Sequence, residues 1–226
     1  MARPREETRH LALVVSLLFF FIIAPIVVVL RNGVLIMNVV TAAVLVAATY
    51  ALSPRKQLFA SAIMLSAISI IASGLLLVWP GRWLTIFSHC WIALLIIFFC
   101  IALLGYVLSG TRVTMDKIFA AISIYLLFGY AWAFAYAVVE ELQPNAFVAL
   151  TSVSPNDYVA HVLEMRYFSF VTLTTVGYGD ILPHSTAART LAALEAVTGQ
   201  IYLTVLVARL VGLHIAHANG ASSREG

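Results

Sequence analysis

The residues with the most chemistry to offer stand together in Thr174-Thr175-Val176-Gly177-Tyr178-Gly179-Asp180. Two threonine hydroxyls open the stretch, glycines alternate with Val176 and Tyr178, and a carboxylate closes it. Glycine enters left-handed backbone without steric cost, so Gly177 and Gly179 permit a chain that alternates between ordinary and left-handed conformations. A chain folded in that way aims successive carbonyls to one side, where their dipoles can replace the hydration water of a cation. The carbonyls of Thr175, Val176, Gly177 and Tyr178, with the Thr175 hydroxyl at the inner end, would then supply successive oxygen levels. One chain gives one oxygen per level. A cage therefore needs several copies around an axis, and one loop from each of four subunits gives a cyclic tetramer.

The surroundings of this stretch decide what such a site would be for. The chain has 226 residues, 62% hydrophobic and 10% charged, with a mean hydropathy of +1.01, which is the composition of an integral membrane protein. A helix needs about 20 apolar residues to cross a hydrocarbon core about 30 Å thick. Five runs meet that length: Leu11 to Leu30, Val34 to Leu52, Leu58 to Trp79, Trp83 to Leu108 and Ile118 to Val139. A sixth, Arg189 to His217, is long enough although Glu195 and Arg209 interrupt it. Between the fifth and sixth, Glu140 to Asp157 reads as an exposed loop, and Ser154-Pro155-Asn156-Asp157 offers helix-start chemistry for a short aromatic helix ending near Thr174. That helix is too short to be a span, so it reads as re-entrant. Non-helical backbone at membrane depth is tolerated only where protein or water satisfies it, so Thr174 to Asp180 must line a wet path.

Charge sets the orientation. With the N-terminus inside, Arg3, Arg5, Arg9, Arg55, Lys56, Arg112, Lys117, Arg209 and Arg224 fall inside, and Arg31, Arg82, Arg166 and Arg189 outside, nine against four of the 13 basic residues. The net charge of +3 then reflects topology and implies no nucleic-acid partner. The first apolar run is too long for a signal-peptide core and no small-residue cleavage site follows it. Cys90 and Cys100 share one helix, ten residues apart, so they pack and do not pair.

Other residues carry alternatives. Glu195 is an acid inside a span; it can hydrogen-bond behind the loop with Thr198 or with a hydroxyl of the short helix, or face the cavity and attract cations. Gly199 serves either close helix packing or a bend. Arg209 can snorkel to the inner interface or line the inner mouth. His184 lies just outside the loop, either as a proton sensor or as an exposed loop histidine. His89 is expected to hydrogen-bond within the bundle, and His214 and His217 to suit the end of the last helix. A voltage sensor needs repeated cations, each contributing about 2.3 kcal/mol per 100 mV, and Trp83 to Leu108 has none. No G-x-S-x-G or H-E-x-x-H motif is present, so an enzyme is not expected.

The segment YFSFVTLTTVGYGD, Tyr167 to Asp180, resembles the pore helix and selectivity filter of tetrameric potassium channels. AAISIYLLFGYAWAFAY and LEAVTGQIYLTVLVARLVG are similar to blocks of small bacterial six-helix members, and the likeness runs over about 100 residues from Asp116 to His217. Gly199 stands nineteen residues after Asp180, where many members carry an inner-helix hinge glycine, and Arg189 also falls at a familiar place. The resemblance implies that Thr175, Val176, Gly177, Tyr178 and Gly179 form the ion-coordinating filter, supported by Thr174, Asp180, Tyr167 and Phe168. Many members have two tryptophans where this chain has Tyr167 and Phe168. Tyr167 can still donate to Asp180, whereas Phe168 cannot donate to a neighbour's Tyr178. A glutamate that some members place at Val171 is also absent.

The expectation is an all-α membrane protein: six transmembrane helices, a re-entrant pore helix and a filter loop, assembled as a homotetramer. Residues 1–110 form a four-helix peripheral domain, 111–217 the pore domain, and 218–226 a short cytoplasmic tail. K⁺ is the permeant ion and no cofactor is expected. Membrane lipid is the other partner, and the short tail leads us to expect no cytoplasmic ligand-binding domain. The setting is a bacterial inner membrane with both termini cytoplasmic. A weakly selective cation channel or a potassium-uptake subunit are the alternatives.

Overall fold

Each long apolar run becomes one helix because a membrane leaves backbone groups no partners except those along their own helix. A computed structural model describes residues 8–28, 30, 33–109, 114–149 and 158–222. In chain order it contains α1 (Thr8–Val28), α2 (Gly33–Ala51), α3 (Lys56–Val78), α4 (Arg82–Val107) and α5 (Met115–Leu142), then β1 (Phe147–Ala149), α6 (Tyr158–Leu173), β2 (Ile181–Pro183) and α7 (Thr186–Ser222). Six of these helices, all except α6, are long and apolar enough to cross a membrane. α6 has 16 residues, about 24 Å at 1.5 Å per residue, and falls short of a crossing. The all-α reading holds, with one small addition in the β1–β2 ribbon.

Packing organises the helices around α5. α4 runs along α5, α1 packs on both α2 and α5, and α3 touches α2 and α4. The main core joins Leu13, Leu17, Leu45, Phe99, Leu103, Ile124 and Leu127, with Ala48, Ala62, Ala102, Ala120 and Ala121 as small residues that let helices approach. Lipid is as apolar as leucine, so such close packing, rather than escape from water, holds the bundle. A second cluster of Tyr136, Phe147, Met165, Phe168, Ile181 and Ala188 fastens α6 to α5 and the ribbon.

One end of the bundle collects the polar ties. Arg55 Nη1 donates to the Ala102 carbonyl at 3.3 Å, His10 Nδ1 meets Asp116 Oδ1 at 2.8 Å, and Tyr106 donates to Asp116 Oδ2 at 2.5 Å. Thr114 caps α5 by accepting from the Lys117 amide. At the opposite end, Arg82 Nη2 donates to the Glu141 carbonyl at 2.7 Å.

Three expectations change. The segment after α5 is not simply an exposed loop: Glu140 accepts from the amides of Asn145 and Phe147, and β1 pairs antiparallel with β2, Val148 opposite Leu182. Arg166, counted with the outer basic residues, is buried rather than solvated, 7% exposed and packed between α6 and α1. The last helix continues past His217 to Ser222. The helix-start residues Ser154 to Asp157 lie outside the described residues, as do Arg3, Arg5, Arg31, Arg112 and Arg224.

Candidate functional site

α6 ends where its own carbonyls run out of helical partners, and the loop that follows supplies them. The Val171 carbonyl accepts from both the Val176 amide at 2.9 Å and the Gly177 amide at 3.3 Å, while the Thr175 amide reaches the Thr172 carbonyl at 2.9 Å. Thr174 Oγ1 donates to the Phe170 carbonyl at 2.6 Å. The loop is thereby pinned amide-side to the helix terminus. Its carbonyls are left for another use, beside the negative end of the α6 dipole.

The backbone alternates over three positions. Thr175, Gly177 and Gly179 have φ of 60°, 58° and 79°. Glycine explains two of these. Thr175 is β-branched, and holding it in the left-handed region costs about 1–3 kcal/mol, a strain that such sites store. Val176 and Tyr178, between them, are more than half exposed on the single chain.

Asp180 closes the loop. Tyr167 Oη donates to Asp180 Oδ2 at 2.6 Å, and the Ile181 amide donates to Oδ1 at 3.0 Å. The Tyr167 bond holds the Asp180 carboxyl below its ordinary value, and the same bond pushes the Tyr167 phenol up to about 12. Phe168 points elsewhere: its ring lies 5.0 Å from Tyr136 and 5.2 Å from Phe147, and it is buried. It packs in the frame behind the loop.

Behind α6 a buried polar network joins three helices. Glu195 on α7 is fully buried; Tyr136 on α5 donates to its Oε2, and Ser169 Oγ on α6 lies 2.5 Å from its Oε1. Ser169 Oγ is also 2.7 Å from the Gly129 carbonyl. Thr198 donates to the Glu195 backbone carbonyl, not to its side chain. Gly199 sits against the end of α6: a Cβ there would lie 2.7 Å from Leu173 Cδ1 and 3.0 Å from the Leu173 carbonyl oxygen. Arg209 Nη2 donates to the Leu108 carbonyl at 2.5 Å, a cation on the C-terminal end of α4.

The structure thus gathers Thr174 to Asp180, Tyr167, Glu195 and Gly199 around the terminus of α6. Phe168 lies behind this group, and Arg209 stands apart in the second half of α7. The sequence reading missed Thr175's conformation, Tyr136 as a partner of Glu195, and Gly129. A helical glycine was the available signal for the last: a Cβ at 129 would meet Phe170 at 2.6 Å. His184 is exposed and donates its amide to the Ala146 carbonyl. His89 is buried against Phe134, while the side chains of His214 and His217 lie outside the described residues.

Comparison with known proteins adds independent findings. Residues 124–214 match the family model described as ion channel. Two-pore potassium channel 1 of Arabidopsis thaliana is 44% identical over 48 residues, which is 21% of this chain and 13% of that protein. Protein LctB of Bacillus caldotenax is 28% identical over 100 residues, 44% of this chain and 74% of that protein. The voltage-gated potassium channel of Aeropyrum pernix is 29% identical over 99 residues, 44% of this chain and 29% of that protein. The chain therefore spans less than a third of the length of either channel. No solved structure gives a match.

Proposed function

Since the chain is a member of the potassium channel family, we propose that it conducts K⁺ passively across a membrane through a homotetrameric filter. One observation carries this reading: left-handed backbone at Thr175, Gly177 and Gly179, on a loop whose amides return to α6. Alternation of that kind turns the carbonyls of Thr175, Val176, Gly177 and Tyr178 to a common side, where four copies surround a dehydrated cation. The exposed Val197, Ile201 and Val205 on α7, together with the uncovered Tyr178, are consistent with a face that other subunits and the pore complete. Conduction of an ion, not catalysis, is the use such oxygens support.

The end holding Arg9, Arg55, Lys117 and Arg209 is the cytoplasmic one, by the excess of basic residues there. That asymmetry supports cytoplasmic termini, and the likeness to small bacterial members supports a multi-pass protein of a bacterial inner membrane. It is not conventionally voltage-gated, since α4 has Arg82 at its first position and no further Lys or Arg.

Alanine at Gly177 or Gly179 tests the filter. A Cβ at either position meets nothing within 4 Å, so the cost is conformational, about 1–2 kcal/mol per residue for a left-handed alanine. Either variant should insert and assemble in liposomes yet lose K⁺-selective flux. Wild-type K⁺ over Na⁺ selectivity in both would overturn the proposed carbonyl geometry.

A further inference from the structure

α1 carries a proline inside its helix, Pro25. Proline has no amide hydrogen, so the carbonyl four residues earlier, that of Phe21, loses its helical donor. The structure supplies a replacement from a distant part of the chain. Arg166 on α6 places Nη2 at 3.4 Å from the Phe21 carbonyl and Nη1 at 3.4 Å from the Phe20 carbonyl. Its guanidinium carbon lies 5.6 Å from the Phe20 ring centroid and 5.0 Å from that of Phe21, within cation–π range of both.

This arginine is expensive. It is buried at membrane depth, and among the described residues no carboxylate pairs with it. Such a residue is retained where a contact needs it, and here the contact joins α1 to the helix that holds the loop. Aromatic packing repeats the join one turn later, since Phe21 meets Phe170 edge-on at 5.0 Å. Tyr130 on α5 completes it, its ring packing against Phe20 and Phe170 while its hydroxyl donates to the Leu17 carbonyl at 3.0 Å.

We propose that α1 is a positioning element for the filter and that Arg166 is the residue through which it holds α6. The path is short. Tyr167, the next residue, bonds Asp180 at the outer end of the loop, and Val171, farther along the same helix, takes the amides of Val176 and Gly177. A displacement of α6 relative to α1 is therefore delivered to both ends of the filter. The peripheral helices, which lack a repeated charge pattern, act on conduction through this contact. The proposal rests on the filter reading of residues 174–180, and its test is chosen to be separable from that reading.

The test is hydrogen–deuterium exchange on the full-length protein in lipid nanodiscs with K⁺ present, following peptides that cover 166–180. Arg166→Met should raise exchange there about tenfold, the size expected for loss of hydrogen bonds to a charged group. Pro25→Ala restores an amide that competes for the Phe21 carbonyl, and should raise it by a smaller factor, about threefold. Because both changes act on one contact, Pro25→Ala should add nothing in the Arg166→Met background. Pro25→Ala also favours the helix it sits in, so it tests the contact by itself if Arg166→Met does not fold. Unchanged exchange over 166–180 in either variant overturns the proposal, as does an equal rise over α5 and α7 peptides or full additivity in the double variant. Exchange requires no current, so a failure of K⁺ selectivity in the wild type would be read separately, from ionic flux.

Discussion

At the scale of single residues, Tyr167 illustrates how much chemistry survives a change of side chain. It stands where the resemblance implies an indole donor, and its hydroxyl reaches Asp180 thirteen residues later at 2.6 Å. The donor was legible because residue type alone decides it. Phe168 was not legible, because nothing in its type says that it turns toward Tyr136 and Phe147. Thr175 was invisible for another reason: glycine advertises left-handed backbone, whereas a threonine forced into it gives no sign. The Tyr167–Asp180 bond has a defined pH window. Asp180 sits below its ordinary 3.8, so its contribution is complete above that value and is lost as pH falls through its lowered one. Tyr167 is raised from 10.0 to about 12, so its donor proton is secure below its ordinary value and lost as pH rises through the raised one. Current decay under sustained K⁺ should therefore not change between about pH 5 and about pH 9 through this pair. Tyr167→Phe should speed that decay about two- to fivefold at neutral pH, a modest factor because the pair is exposed. Decay indistinguishable from wild type would remove Tyr167 from filter support.

At the scale of elements, the junction of α5, α6 and α7 depends on groups that cannot be replaced independently. Glu195 was identifiable as an acid inside an apolar helix, and a hydroxyl of the short helix was one of its expected partners. Tyr136 was hidden among other aromatics of α5, since periodicity does not say which face meets α7. Glu195→Ala would leave the Tyr136 hydroxyl buried without its acceptor, while Ser169 keeps the Gly129 carbonyl, a loss of about 1–3 kcal/mol. Glu195→Gln keeps volume and an acceptor and should cost about 1 kcal/mol or less. Thermal unfolding of the two variants in one detergent checks this, and an equal loss in both would show that the carboxylate itself, rather than volume or one retained acceptor, matters. Gly199 is the second such point. α7 is a continuous helix through it, and a methyl group there would press on the Leu173 carbonyl at the end of α6, next to the loop of residues 174–180. Gly199→Ala should therefore destabilise the protein by about 1–3 kcal/mol, the range for overpacking. Gly212→Ala, whose Cβ meets nothing within 4 Å, is the control; matching behaviour of the two would contradict the packing role.

At the scale of the whole molecule, the number and length of the helices were legible because a bilayer fixes the length of any crossing. Their arrangement was not. Every helix offers apolar faces to lipid and to its neighbours alike, so hydrophobicity does not rank the possible contacts. The structure places α1 and α4 against their own chain's α5, with α2 and α3 packed on those two, and ties the peripheral helices to the rest at three levels. Arg209 meets the end of α4, Tyr130 meets α1 in mid-bundle, and Arg166 joins α1 to α6 beside the filter. Only the last two lie near the carbonyl loop, which makes α1 the peripheral element tied most directly to the helix that holds that loop. All of this matters to function only if the loop selects an ion. The most direct measurement is the reversal potential of the purified protein in a planar bilayer, with K⁺ on one side and Na⁺ on the other. A value near the K⁺ equilibrium potential is the result predicted from the alternating backbone at Thr175, Gly177 and Gly179; a value near zero, with current flowing, would contradict it.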